Sequence, residues 1–331
     1  MRRFQNILVY AEAADAERLA GVVELAKEHD AALSVCDVVA KPPSLPDPDG
    51  AIERLKTVRM QLAYERLSAL CAPYSGEHAI DYTVLTGTPF LAVTEQVMMQ
   101  NFDLVVHISD PGKSGGLNPT GMHLVRKCPC PVWSLPGVPA YRPRNIVLAV
   151  DRNLGDSSAR TTAMALAQSS MAASVAAGNA TRLHVVHAWK PFAEDLLTHG
   201  RAALSAEQID DYIATQDDDH RRWLEDLGSK LAKEAPDCSI KTYLRRGDVT
   251  EIVPELASET GAELIVMGTI GTSDVPGVLI GTSAEGILST TRIPVLALKP
   301  LGFKTPLRFE AVGRLAAVVE NAIAQGKVKA S

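Results

Sequence analysis

The stretch that decides the fold is RRGDVTEIVPELASETGAELIVM, at 245–267, because it repeats an earlier part of the chain. The earlier copy, LTGTPFLAVTEQVMMQNFDLVVH, occupies 85–107, and both copies pass from a helical pattern into a short apolar run. Three further pairs recur in the same order: NILVYAEA (6–13) with NIVLAVDR (145–152), ALSVCDVV (32–39) with RLHVVHAW (182–189), and LVRKCPCPVWSLP (124–136) with ILSTTRIPVLALKP (287–300). Ordered repeats of this kind predict a tandem duplication.

The proline-rich segment PGVPAYRP, at 136–143, joins the two copies. We therefore predict a first domain over 1–138, a second over 144–300 and a C-terminal extension over 301–331. The extension contains FEAVGRLAAVVENAIAQ (309–325), which has the apolar spacing of an amphipathic helix. We expect this segment to dock on the body of the same chain.

Short β-branched runs alternate with helical patterns in each copy, which predicts βα units and a parallel sheet. Runs such as LVV and LIVM are apolar on both faces, as is typical of a sheet covered by helices on both sides. The fold class predicted is therefore α/β, with two tandem, doubly wound parallel-sheet domains. The strands expected in the second copy are 146–150, 182–186, 240–245, 264–267 and 294–299.

Composition argues against several classes of protein. The net charge of −6 offers no basic field for a phosphodiester backbone, so we expect no nucleic-acid partner. No apolar run approaches the length of a transmembrane helix and the N-terminus has no signal-peptide pattern, so we expect a cytoplasmic protein without a membrane span. The five scattered cysteines fit a reducing compartment. Cys128 and Cys130 lack the further ligands that would complete a metal site, and we interpret them as packing residues.

Glycines cluster after the fourth expected strand of the second copy. Met267 and Gly268 fall at the carboxyl end of that strand, and Gly271 and Gly281 follow in the next loop. Ligands of doubly wound sheets bind outside the carboxyl ends of the strands, and glycine lets the backbone approach a ligand where a Cβ would collide. The pattern therefore predicts a ligand site at this loop.

The residues around the loop favour a phosphorylated ligand. Thr282 and Ser283 open the next expected helix, whose free amides and positive dipole end favour an anion. Asp151 follows the first strand of the same copy and is expected across the crevice. A carboxylate in that place can accept hydrogen bonds from a ribose hydroxyl.

The second copy resembles the universal stress protein family, whose nucleotide-binding members carry the pattern G-x2-G-x9-G-[S/T]. Here Gly268, Gly271, Gly281 and Thr282 match it with the spacings intact. The resemblance extends over roughly residues 4–300.

The resemblance implies a five-stranded α/β domain repeated twice, a role in stress resistance and a site for ATP or AMP in the second domain only. No metal is implied beyond a nucleotide-associated Mg. By analogy with the family, Val186 and His187 approach the adenine mainly through their backbone.

The first copy departs from this pattern. Ile108 stands opposite Gly268, Asn118-Pro119 stands opposite Gly281-Thr282, and Ala11-Glu12 replaces the Val-Asp that precedes Arg152. Isoleucine does not permit the close backbone approach that glycine does. The GKS in HISDPGKSGG (107–116) also fails as a Walker motif, because the first glycine that this motif requires is replaced by histidine. We expect no nucleotide in the first domain.

Two functional hypotheses of different classes remain open. The first is a regulatory protein that binds a nucleotide and hydrolyses ATP at most slowly, because no side chain near the glycines is an evident general base. The second is a carrier of an apolar or amphiphilic small molecule, covered by the long segments 41–69 and 190–235. A hydrolase or ligase acting on adenylates shares the fold type but lacks support in the sequence.

The last strand of each copy predicts how the chain assembles. In the family, this strand commonly pairs antiparallel with that of a second domain, and an open edge would invite aggregation. We expect Val132–Leu135 and Val295–Leu298 to pair within one chain about a pseudo-twofold axis, giving an intramolecular pseudo-dimer. Further homodimerisation through the tail stays open.

Overall fold

The structure is a computed structural model of the 331-residue chain. The residues it describes are 4–42, 46, 49–74, 76, 80–110, 115–136, 142–152, 158–176, 181–192, 194, 204–269, 281–300 and 302–307, with backbone only for 158–163. They fall into two compact units, Arg3–Tyr141 and Arg142–Leu301, and residues 302–307 group with the first unit.

The first unit is a five-stranded parallel sheet. Its strands lie in the order β3-β2-β1-β4-β5, and all neighbours run parallel. The chain runs outward from β1 to β3 and then returns to β4 on the other side of β1, so the strand order reverses between β1 and β4. The strands are β1 (Asn6–Tyr10), β2 (Ala32–Val39), β3 (Asp81–Thr86), β4 (Leu104–Ile108) and β5 (Val132–Leu135).

Four helices connect these strands. The third begins at Pro89, where proline lacks only an amide hydrogen that the first turn of a helix does not use. The helices are α1 (Ala16–His29), α2 (Ala51–Cys71), α3 (Pro89–Gln100) and α4 (Pro119–Lys127).

The second unit repeats this topology, with the order β8-β7-β6-β9-β10 and parallel neighbours throughout. All five expected strands form. The largest difference is in β7, which continues to Trp189 because it pairs with β8 as far as Arg246. The strands are β6 (Asn145–Ala149), β7 (Thr181–Trp189), β8 (Cys238–Arg246), β9 (Leu264–Gly268) and β10 (Val295–Leu298).

Side-chain caps fix the starts of two helices of the second unit. Ser205 and Gln208 form both hydrogen bonds of a capping box, at 2.9 and 3.2 Å, and Asp248 accepts from the Thr250 amide. The helices are α5 (Ser158–Val175), α6 (Ala206–Glu234), α7 (Val249–Glu259) and α8 (Thr282–Thr290).

The core of each unit lies on both faces of its sheet. Every residue of β4 is buried, as are the first four residues of β9. This burial explains the apolar runs in the sequence and confirms the predicted α/β fold class with two doubly wound domains. The pseudo-twofold pairing of Val132–Leu135 with Val295–Leu298 stays a prediction.

Candidate functional site

The second unit has a crevice where its strand order reverses. β6 and β9 are neighbours there, and Ala149 is in register with Met267. Asp151, just after β6, and Gly268, the last residue of β9, therefore lie at the same carboxyl edge of the sheet. This is the place where doubly wound sheets bind ligands.

Helix α8 begins at this edge with no side-chain cap. Its N-cap residue is Gly281, which has no side chain to accept a hydrogen bond from the first turn. Thr282 and Ser283 are exposed, and the first amides of a helix have no partner within the helix and lie at the positive end of its dipole. The N-terminus of α8 can therefore receive an anion.

Hydrogen bonds fix the start of α8 against the end of β9. The Gly281 amide donates to the Thr269 carbonyl at 3.0 Å, and the Thr269 amide donates to the Leu298 carbonyl at 3.0 Å. The buried Thr269 hydroxyl donates to the same Leu298 carbonyl at 3.2 Å. These contacts hold the donors of α8 in place before any ligand arrives.

The corresponding helix of the first unit, α4, is capped by the protein itself. The Asn118 side chain accepts from the Gly121 amide at 2.9 Å and donates to the Glu12 carboxylate at 2.7 Å. His107 Nε2 lies 2.9 Å from the same Glu12 oxygen. Three side chains of the first unit thus occupy the edge that corresponds to the start of α8 in the second unit.

Within this Glu12–His107–Asn118 network, His107 is buried and Glu12 is partly exposed. Burial alone would raise the pKa of the Glu12 carboxyl, but the hydrogen bonds from His107 and Asn118 hold that pKa below its ordinary value. An ionised carboxylate only accepts, so His107 carries its proton on Nε2. The imidazole is fully buried and stacks on Tyr10, with ring centroids 5.2 Å apart.

Asp151 lies at the surface of the crevice, and protein atoms surround its carboxyl group. The pKa of its carboxyl is raised above the ordinary value because burial disfavours the charge, and a hydrogen bond from the Arg152 amide offsets this only in part. A carboxylate held in such surroundings gains from further donors, which ribose hydroxyls would supply.

The structure brings most of the predicted site residues to one edge of the sheet. Asp151, Met267, Gly268, Gly281, Thr282 and Ser283 all lie at or next to the carboxyl ends of β6 and β9. Val186 lies inside β7, where its carbonyl already accepts from the Val150 amide at 3.0 Å. Gly271 falls outside the described residues.

A buried aromatic cluster beside the crevice was missed by the sequence analysis. His187, near the end of β7, and His220, on α6, bring their Nε2 and Nδ1 atoms to 2.9 Å. Trp189 stacks on His220 with centroids 4.8 Å apart, and Trp223 meets His187 edge-on at 5.0 Å. His220 lies in the charged segment 217–227 of α6 but is only 5% exposed.

The cluster joins α6 to the first residues after β6. His187 Nδ1 donates to the Val150 carbonyl at 3.3 Å, and Arg152 forms an ion pair with Asp219 of α6 at 2.8 Å. Burial, followed by the charges of His220 and Arg152, lowers the pKa of His187 to about 4. Burial also lowers the pKa of His220, so both rings are neutral at physiological pH.

The described part of the chain contains neither a membrane-spanning helix nor a cluster of metal ligands. None of the helices described there is long and apolar enough to cross a membrane. Over the same residues, no group of three or more His, Cys, Asp or Glu side chains is arranged to hold a metal ion.

A family model and the curated relatives of this chain point to the same protein family. The universal stress protein family matches the chain over residues 3–136 and 143–299. Universal stress protein E of Escherichia coli (strain K12) is 26% identical over 230 residues, which are 67% of this chain and 68% of the relative.

Solved structures agree on the fold. A protein of unknown function from Pseudomonas aeruginosa PAO1 has a TM-score of 0.57 at 20% identity, over 98% of each chain. A universal stress protein from Archaeoglobus fulgidus DSM 4304 has a TM-score of 0.58 at 14% identity, over 90% of this chain and 98% of that one.

Proposed function

The chain belongs to the universal stress protein family, and from this premise we propose that it serves the stress response by binding an adenine nucleotide, ATP or AMP, in its second domain. The nucleotide acts as a regulatory ligand. The first domain binds none.

The observation that carries this proposal is the difference between two equivalent helix N-termini. Asn118 caps α4 and Glu12 completes the network in front of it, whereas α8 begins at Gly281 without a side-chain cap. An uncapped, exposed first turn is a favourable place for a phosphate group. Of the two equivalent helices, α4 and α8, it is α8 that offers one.

The surrounding residues support the same ligand. Asp151 places a carboxylate at the crevice, where it accepts from a ribose. Gly268 ends β9 without a side chain, which leaves room for a close approach by the ligand. Phosphates at α8 and the ribose at Asp151 place the nucleotide across the carboxyl ends of β6 and β9.

Calorimetric titration with ATP and AMP tests the proposal with the variant Gly281→Asp. An aspartate at this position caps α8 with its own carboxylate and repels a phosphate, so nucleotide affinity should fall at least about tenfold. The fold should keep its stability, because aspartate is a good N-cap residue.

Gly76→Asp is the matched control. A Cβ at Gly76 meets nothing within 4 Å, so the same substitution there changes charge without touching the crevice. Its affinity should equal that of the wild type. Equal affinity in the wild type and Gly281→Asp would refute the proposed site.

A further inference from the structure

Two cysteine side chains are in contact where helix α4 passes into strand β5. The Sγ atoms of Cys128 and Cys130 lie 3.5 Å apart, and either thiol can donate the hydrogen bond between them. Both side chains are buried, with Cys128 fully enclosed and Cys130 7% exposed. This burial agrees with their interpretation as packing residues, and the contact also brings two oxidisable groups together.

The repeated fold does not require thiols at these positions. The aligned segments LVRKCPCPVWSLP and ILSTTRIPVLALKP place Thr291 opposite Cys128 and Ile293 opposite Cys130. In the second unit, the Thr291 hydroxyl accepts from the Ile293 amide at 3.2 Å. A hydroxyl and an aliphatic side chain therefore serve the same turn there without sulfur.

The two sulfur atoms are close to the separation that a disulfide needs. A disulfide bond is about 2 Å long, so the atoms must approach each other by about 1.5 Å. The loop that the bond closes contains one intervening residue, Pro129, whose ring fixes its backbone angle φ. A disulfide in so short a loop is strained, and strained disulfides are the ones that thiols reduce readily.

We propose that Cys128 and Cys130 form a reversible disulfide when the protein meets hydrogen peroxide. Cys130, the more exposed of the two, reacts first: its sulfur attacks the peroxide, the O–O bond breaks, and a sulfenic acid and one water form. The sulfur of Cys128 then attacks the Cys130 sulfur, and the sulfenic oxygen leaves with the Cys128 proton as a second water. The two thiols are oxidised to the disulfide, and the peroxide is reduced to two waters.

Proximity decides which thiol reacts with the sulfenic acid. Buried thiols react slowly with peroxide, so local opening at Cys130 limits the first step. The second step is fast, because well-oriented groups in one molecule reach effective concentrations of about 10⁵ M or more, far above those of dissolved thiols. Disulfides in a reducing compartment, which the scattered cysteines predict, are usually transient and often redox-sensing. The pair therefore records peroxide exposure, independently of the nucleotide proposed for the second domain.

Mass spectrometry of the full-length protein tests this reaction. After treatment with hydrogen peroxide, the remaining thiols are blocked with N-ethylmaleimide and the protein is cut with trypsin. Cleavage after Lys127 and Arg144 releases both cysteines in one peptide. This peptide should lack two hydrogens, about 2 Da, and carry no blocking group. Dithiothreitol added before the blocking step should restore two labelled thiols.

Two variants that copy the second unit separate the roles of the thiols. In Cys128→Thr, treated with peroxide and glutathione, Cys130 has lost its neighbour, so its glutathione adduct should rise at least about tenfold over the wild type. In Cys130→Ile, the fully enclosed Cys128 should be oxidised less than Cys130 is in Cys128→Thr. Cys238→Ser is the control: it removes a partly exposed thiol outside the pair and should leave the disulfide unchanged.

The wild-type protein alone can overturn the proposal, whether or not the variants fold. Two labelled thiols at Cys128 and Cys130, after a peroxide dose that oxidises Cys238, would show that the pair does not react. Sulfinic acid or a glutathione adduct in place of the disulfide would show that the neighbouring thiol does not capture the sulfenic acid. In folded Cys128→Thr, a glutathione adduct no higher than in the wild type would count against the pair equally.

Discussion

The Nε2 atom of His187 and the Nδ1 atom of His220 lie 2.9 Å apart in the interior of the second domain. His187 donates from Nδ1 to the Val150 carbonyl, because a carbonyl only accepts. A neutral His187 therefore accepts at Nε2, and His220 donates from Nδ1. The pair fixes both tautomers and ties α6 to the strand ends that form the crevice.

This pair should make stability depend on pH. The folded protein disfavours the protonated form of both histidine rings. The pKa of His187 is lowered to about 4 from an ordinary 6.5. The unfolded chain therefore takes up protons first as the pH falls. Stability should be full above about pH 6.5 and should fall by on the order of 3 kcal/mol towards pH 4. Urea unfolding across this pH range measures the change.

A double variant isolates the contribution of the pair. His187→Phe, His220→Phe removes both titrating rings and keeps aromatic volume against Trp189 and Trp223. Removing only one ring would leave the other without its partner. The double variant should show a clearly flatter pH dependence, and an unchanged slope would contradict the role of the pair.

Gly121 should not tolerate alanine, although it lies within helix α4. Alanine would favour the helix by about 1 kcal/mol. However, its Cβ would lie 2.9 Å from Nδ1 of His107, and that ring is held by Tyr10 and Glu12. Overpacking of this kind costs about 1–3 kcal/mol, so we expect a net loss. Thermal unfolding of Gly121→Ala beside Gly76→Ala, where nothing lies within 4 Å, measures it. Equal or greater stability of Gly121→Ala would show that the ring can move aside.

The variant Asp151→Asn should keep or raise the stability of the fold and weaken the binding of ATP. Burial raises the pKa of the Asp151 carboxyl, so its charge destabilises the unliganded fold at pH 7 and the cost disappears as the pH falls through that raised pKa. The asparagine variant should therefore melt at the same or a higher temperature. Its ATP affinity should fall, since an amide oxygen is a weaker acceptor for ribose. Thermal shift with and without ATP checks both, and an equal ATP-dependent shift in the two proteins would exclude Asp151 from the site.

The parts of the fold that local sequence determines were predictable. The order of β and α elements follows from periodicity, and Ser205, Asp248 and Pro89 are residue types that are common at helix starts, where the structure has them. The uncapped start of α8 also follows from a single residue, Gly281. These features depend on interactions within a few residues of the chain.

Features set by distant contacts were not predictable. His187 and His220 are 33 residues apart, and Glu12 and Asn118 are 106 apart, so no local pattern links either pair. The end of β7 was placed too early because β8, rather than the sequence of β7 itself, extends the pairing to Trp189. A histidine within a charged helical run, as at His220, could have signalled an inward-facing position.

The assembly prediction can be tested on the second domain alone. If Val295–Leu298 pairs with Val132–Leu135 in the intact chain, a fragment of residues 141–331 has an open apolar edge. The fragment should dimerise or aggregate as its concentration rises, as measured by light scattering. A stable monomer over the whole concentration range would contradict the intramolecular pseudo-dimer.

Native mass spectrometry of the full-length protein with saturating ATP tests the central claim most directly, because it counts bound nucleotides per chain. We predict one adenine nucleotide on each wild-type chain and none on Gly281→Asp. Two nucleotides would show that the Glu12–His107–Asn118 network does not close the first domain. No nucleotide on the wild type, or a retained lipid-like mass that ATP does not displace, would contradict the account and favour a carrier of apolar ligands.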